Sequence, residues 1–152
     1  PTLADYLPRS AVNLQLPRGD KNRIIEHLLN QLDQAGMVGD REKVYQDILN
    51  RERQGSTALG RGIAVPHAKS AAVSEPALAF GRCRKGLDFN ALDGQPVHLV
   101  FMFLVPSNRA GLHLRLMSAL TRFLRVEENR KRLLEAGGEE DIRQLLREIL
   151  IG

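Results

Sequence analysis

The chain of 152 residues has no tryptophan, one cysteine, two tyrosines and five phenylalanines. A lone thiol, Cys83, cannot close an internal disulfide. It points to a reducing, cytoplasmic setting, where such a residue serves as a small buried hydrophobe. So few aromatic rings leave little surface on which nucleic-acid bases would stack. Charge of one sign is not in large excess: 22 Lys and Arg face 18 Asp and Glu, a net +4. Bases and acids are interleaved, as in Arg51-Glu52-Arg53 and along residues 127–132. That is the pattern of solvated helix faces, suited to an anionic ligand or an acidic protein partner rather than to nucleic acid. No apolar run approaches the roughly 18–20 residues of a membrane span. The N-terminus also lacks a basic-then-apolar leader pattern, so no membrane insertion is expected.

Several chemistries lack their motifs. There is no Cys-x-x-Cys, no His-Glu-x-x-His and no clustered His/Cys/carboxylate set, so no metal is implied. A serine nucleophile would lack its Gly-x-Ser-x-Gly turn, and no Gly-x-x-x-x-Gly-Lys-Ser/Thr loop offers to hold a nucleotide phosphate. No cofactor is called for.

What is present suits one domain over residues 1–152, with 43% hydrophobic residues and no repeat or linker. Residues 12–16 alternate apolar and polar, as in a half-buried strand. Asp20 is placed to cap a helix with Ile24, Ile25, Leu28, Leu29 and Leu32 inward, stopping near Gly36. Asp40 is placed to cap a second, with Val44, Tyr45, Ile48 and Leu49 inward, ending near residues 53–55. Gly60 and Gly62 bracket a turn into a strand at 63–65, and residues 77–83 read as another strand. After the Asp93-Gly94 turn, residues 97–105 are apolar except for His98, as in a central strand covered on both faces. A helix carries Leu112, Leu116, Met117, Leu120, Phe123 and Leu124 inward. A short helix at 127–135 follows, and then a last helix with Ile142, Leu145, Leu146, Ile149 and Leu150 inward. The expected fold is α/β: a single mixed β-sheet flanked by helices on both faces.

The four histidines differ in setting. His27 lies at a face boundary of the first helix, and His98 lies on the central strand. His113 precedes Leu116 and Met117 by three and four residues, so it points to the same inward side. His67 follows the 63–65 strand and Pro66. Proline fixes its own φ and holds Val65 extended. The strand is therefore expected to end there and to present His67 at its carboxyl end, where open α/β sheets place reactive groups.

The run Arg51-Glu52-x-x-Gly55-x-Thr57-x-x-Gly60-x-Gly62-Ile63-Ala64-Val65-Pro66-His67 resembles the phosphorylation-site segment of the fructose/mannitol-type enzyme IIA domains of the bacterial phosphotransferase system. Gly86-Leu87-Asp88-Phe89, Asp93-Gly94-Gln95-Pro96-Val97, Phe101-x-Phe103-Leu104-Val105-Pro106 and Leu112-His113-Leu114 fit the same family in order. The resemblance runs from about Val12 to Leu150 and implies a phosphoryl group carried on His67, with Arg51 and His113 lining the site. Ala68 departs from it, standing where the family implies glycine. The implied donor is a phosphorylated histidine carrier protein, and Nε2 of His67 is the implied attacking atom. Arg51 would grip the phosphoryl oxygens with its planar fork, and His113 would donate a hydrogen bond to them. A free-standing domain of this layout resembles the nitrogen-related, regulatory branch, which implies regulatory protein targets. The alternatives are a sugar-uptake component passing the group to a sugar-specific IIB component, and a protein-binding module that is never phosphorylated.

Overall fold

The computed structural model describes residues 1–152. After two short 3₁₀ turns the elements are β1 (Val12–Asn13), α1 (Lys21–Gln34), α2 (Arg41–Arg53), β2 (Ala58–Gly60), β3 (Ile63–Ala64), β4 (His67–Ser70), β5 (Ala77–Leu87), β6 (Val97–Pro106), α3 (Ala110–Leu124), α4 (Glu127–Glu135) and α5 (Glu139–Arg147). The first two helices start where a side chain satisfies an orphan N–H: Asp20 accepts from Arg23 N at 2.8 Å and Asp40 from Lys43 N at 3.1 Å.

The strands form one six-stranded sheet in the order β1-β5-β6-β3-β2, with β4 also paired to β6. Strands β5 and β6 are antiparallel, whereas β1 pairs parallel to β5, and β3 and β4 parallel to β6. The sheet is mixed, and β6 is its central strand. Its apolar sequence follows from burial on both faces: Val100, Phe101, Met102, Leu104 and Val105 are all 0% exposed.

Neighbouring residues of β5 identify what covers each face. A Cβ on Gly81 would meet Leu16 and Leu28, the latter on α1. Arg82, next in sequence and so on the opposite face, donates to the carbonyls of Leu133, Leu134 and Ala136 at the end of α4. Helices therefore cover both faces, as expected. Helix α2 lies beside α1 and against β4, and α3 packs on β6 and α4.

Four expectations are corrected. The first strand is regular only at Val12–Asn13: Asn13 Oδ1 accepts from Gln15 N at 2.9 Å and bends the chain, which returns to β5 where Leu16 N donates to the Arg82 carbonyl at 2.8 Å. Strand β5 continues to Leu87, past the expected end at residue 83, through a register shift between Arg82 and Leu87. Leu150 is 75% exposed, while Ile149 and Ile151 are buried. Helix α5 has ended at Arg147, with Glu148 as its cap, and the chain then makes a single bridge from Leu150 to Thr2, so Leu150 no longer follows the helix's inward stripe. The fourth correction concerns His67. Residues 63–65 do not end the strand run: β4 begins at His67, and β3 and β4 keep the same register along β6, with Ile63 opposite Leu99 and His67 opposite Phe103.

Candidate functional site

Pro66 interrupts the ladder without displacing it. It has no N–H to donate, yet its carbonyl still accepts from Phe103 N at 3.2 Å. The preceding amide, Val65 N, turns instead to the Thr57 carbonyl at 3.0 Å. His67 thus enters β4 already aligned, and its ring stacks on Phe103 with centroids 4.9 Å apart and planes 7° from parallel. His67 Nδ1 lies 2.7 Å from the Val65 carbonyl oxygen. A carbonyl only accepts, so the proton sits on Nδ1 and the lone pair on Nε2.

His113, in the first turn of α3, brings its ring centroid to 4.8 Å from that of His67 and 5.3 Å from that of Phe103. Its Nε2 is buried without a hydrogen-bond partner. Arg51, in the last turn of α2, donates from Nη1 to the Gly55 carbonyl at 2.9 Å. Arg51, His67 and His113 line one cavity of about 370 Å³ together with Asp47, Asn50, Gln54, Ala68 and Lys69. The three sequence-derived site residues therefore meet. His27 and His98 lie elsewhere: His27 Nε2 is 3.0 Å from Asn13 Nδ2, and His98 Nδ1 is 3.0 Å from the Cys83 carbonyl. A larger groove of about 470 Å³, between the β2–β3 turn and the end of α3, is lined by no histidine, cysteine or carboxylate. Ala68, in place of the implied glycine, sits in extended β4 with no left-handed backbone to accommodate, and is buried.

Burial and charge keep both rings neutral. Burial pushes the His67 pKa below its ordinary value, and Arg51 adds to this against the opposing Val65 hydrogen bond. His113 is lowered to about 4, first by burial, then by His67, Lys69 and Arg51. A neutral ring with a bare Nε2, lining the same cavity as a permanent guanidinium cation, has the lone pair and the neighbouring positive charge that attack on an anionic group would require. No group of three or more His, Cys, Asp or Glu side chains gathers to hold a metal ion.

Two contributors were not legible in the sequence. Phe103 reads as one more core residue of β6, because its pairing with His67 depends on register. Glu52 reads as part of a solvated helix face, yet it is only 7% exposed. Its carboxylate accepts from Thr57 Oγ1 and pairs with Lys21 Nζ at 3.0 Å. The Glu52–Thr57 spacing was visible in the motif, but nothing in it marked the pair as buried.

A mixed sheet flanked by helices, with a neutral histidine that shares one cavity with a second histidine and an arginine, defines a small single-domain α/β protein. The family model for the phosphoenolpyruvate-dependent sugar phosphotransferase system, EIIA 2, matches residues 5–149, and the chain belongs to this family. It is 44% identical over 140 residues to the fructose-specific EIIABC component of Bacillus subtilis, covering 92% of this chain but only 22% of that protein. It is 41% identical over 148 residues to the fructose-specific EIIA component of Haloferax volcanii, covering 97% of this chain and 96% of that protein. A nitrogen regulatory protein of Pseudomonas aeruginosa is 33% identical over 144 residues, covering 95% of this chain and 92% of that protein. Among solved structures, nitrogen regulatory protein IIA-Ntr of Neisseria meningitidis superposes with a TM-score of 0.88 at 34% identity, covering 94% of this chain and 97% of that one. The mannitol IIA of Escherichia coli, solved in complex with phosphorylated IIB, gives 0.78 at 25% identity, covering 90% and 94%. No helix is long and apolar enough to cross a membrane.

Proposed function

We propose that this protein is a cytoplasmic phosphocarrier. It accepts a phosphoryl group on Nε2 of His67 from a phosphorylated histidine carrier protein and presents it as a signal to regulatory protein targets. The observation that carries the reading is the 2.7 Å contact between His67 Nδ1 and the Val65 carbonyl, which leaves Nε2 with its lone pair beside Arg51. In the transfer, that lone pair forms a bond to phosphorus while the phosphorus–nitrogen bond of the donor breaks. The donor, a protonated phosphoimidazole, leaves as a neutral imidazole. The His67 proton stays on Nδ1 against the Val65 carbonyl, so the charge that arrives on the ring faces an acceptor already in place. Arg51 binds the phosphoryl oxygens, and His113 turns its unpartnered Nε2 toward them as a donor. Positioning and charge carry most of the catalysis in such a transfer, and neither water nor a nucleotide takes part.

The similarity to nitrogen regulatory proteins supports the regulatory target. A second reading keeps the same chemistry but passes the group to a sugar-specific IIB component, and the fructose-specific relatives favour it. Incubation with a phosphorylated carrier protein, followed by mass spectrometry, tests the common core. The chain gains one phosphoryl group, and His67→Ala abolishes the gain. Labelling undiminished in that variant moves the site elsewhere, and no labelling of the wild type leaves a binding module. Adding a IIB component to the labelled protein then separates the two readings by whether the group moves on.

A further inference from the structure

We propose that Glu52 is a positioning residue for the transfer at His67, acting through the turn at residues 53–57. This rests on the phosphocarrier reading above. Glu52 follows Arg51 in α2, and successive helical residues point about 100° apart. Arg51 lines the cavity and Glu52 does not. The Glu52 carboxylate turns inward, where Thr57 donates to it through its hydroxyl and, at 3.4 Å, through its amide. Lys21 Nζ reaches it from the start of α1 at 3.0 Å. A buried carboxylate destabilises the fold unless it is fully paired, so this anchor holds the turn in one conformation.

Two links run from the anchored turn to the site. The Gly55 carbonyl, whose own amide donates to the Glu52 carbonyl at 3.1 Å, accepts from Arg51 Nη1 at 2.9 Å. It sets the direction of the guanidinium. The Thr57 carbonyl accepts from Val65 N at 3.0 Å, and the Val65 carbonyl accepts from His67 Nδ1 at 2.7 Å. That second link holds the tautomer. Loosening the turn therefore disturbs Arg51 and also lets the His67 proton move to Nε2, which removes the lone pair needed for attack.

The test uses the full chain carrying Glu52→Gln, with Thr57→Val and Thr57→Ser as companions. Transfer from a phosphorylated histidine carrier protein is followed by rapid quench, and the His67 tautomer in the unreacted protein by ¹⁵N NMR. Glu52→Gln is expected to retain the folded spectrum and to lower kcat by roughly tenfold to a hundredfold, the effect of a small misplacement of reacting groups, with KM for the donor unchanged. It also admits the Nε2–H tautomer of His67. Thr57→Val does the same, and Thr57→Ser, which keeps the hydroxyl, restores the wild-type rate. Wild-type kcat and an unchanged His67 tautomer in a folded Glu52→Gln protein overturn the proposal. If that variant does not fold, equal rates in Thr57→Val and Thr57→Ser overturn it instead. A wild-type chain that accepts no phosphoryl group refutes the phosphocarrier reading, while the NMR arm still decides whether Glu52 governs the His67 tautomer.

Discussion

His113→Ala removes one hydrogen-bond donor from the cavity and leaves the stack of His67 on Phe103 in place. The magnitude follows from the state of that ring. His113 Nε2 has no protein partner, so the resting protein loses no polar pairing at that atom when the ring is deleted. The loss is felt once an anion occupies the cavity. A hydrogen bond to a charged group contributes about 1.5–3 kcal/mol. At about 1.4 kcal/mol per tenfold, that predicts transfer slower by roughly tenfold to about 150-fold. His113→Gln, whose amide N–H can reach the same region, is expected to recover part of the rate. Rapid-quench measurement of transfer from the phosphorylated carrier supplies the numbers. NMR titration supplies an independent check. The free ring titrates at about 4 because it is buried and faces His67, Lys69 and Arg51. A phosphoryl dianion on His67 adds an opposite charge at short range, which favours the imidazolium. The His113 pKa therefore rises on phosphorylation. Wild-type transfer by His113→Ala, or a His113 pKa that does not move when His67 is phosphorylated, refutes the assignment.

Acid should weaken the fold through the same two rings. Their folded pKa values lie below the ordinary histidine value, so between the two values the unfolded chain binds more protons. The contribution is fully present above about pH 6.5 and is lost as pH falls toward about 4. Urea midpoints measured across that window are expected to fall more steeply for wild type than for His113→Gln, and parallel curves would contradict the burial argument. Gly81→Ala tests the α1 face of the sheet. The added Cβ would stand 2.8 Å from Leu16 Cγ and 3.1 Å from Leu28 Cδ2. Such overpacking costs about 1–3 kcal/mol. A lowered melting temperature is expected, and an unchanged one would show that α1 does not pack there as described.

Local rules explain the parts that were readable from residue order. Asp20 and Asp40 cap helices because their side chains need only the amides three residues ahead. The stripe of Ile24, Ile25, Leu28, Leu29 and Leu32 is fully buried because a helical period and an apolar face require only a sheet to lie against. Residues 97–105 read as a central strand because only burial on both faces tolerates so unbroken an apolar run. Where two local signals competed, the reading failed. Asn13 bends the chain at Gln15 although the alternation to Leu16 looks like a strand. Pro66 looks like a terminator, yet its carbonyl stays in the ladder.

Residue order alone marked the helices with their caps, the central strand and most of the apolar core, because periodicity and capping act over a few positions along the chain, and it carried the motif run through Arg51, His67 and His113 on which the family resemblance rests. Tertiary structure alone decided that His67 lies flat on Phe103, that Glu52 is buried with Thr57 and Lys21, and that the proton of His67 rests on Nδ1. Strand register, burial and the acceptor facing a ring nitrogen are set by groups distant in sequence, and they exist only once the sheet has closed around them.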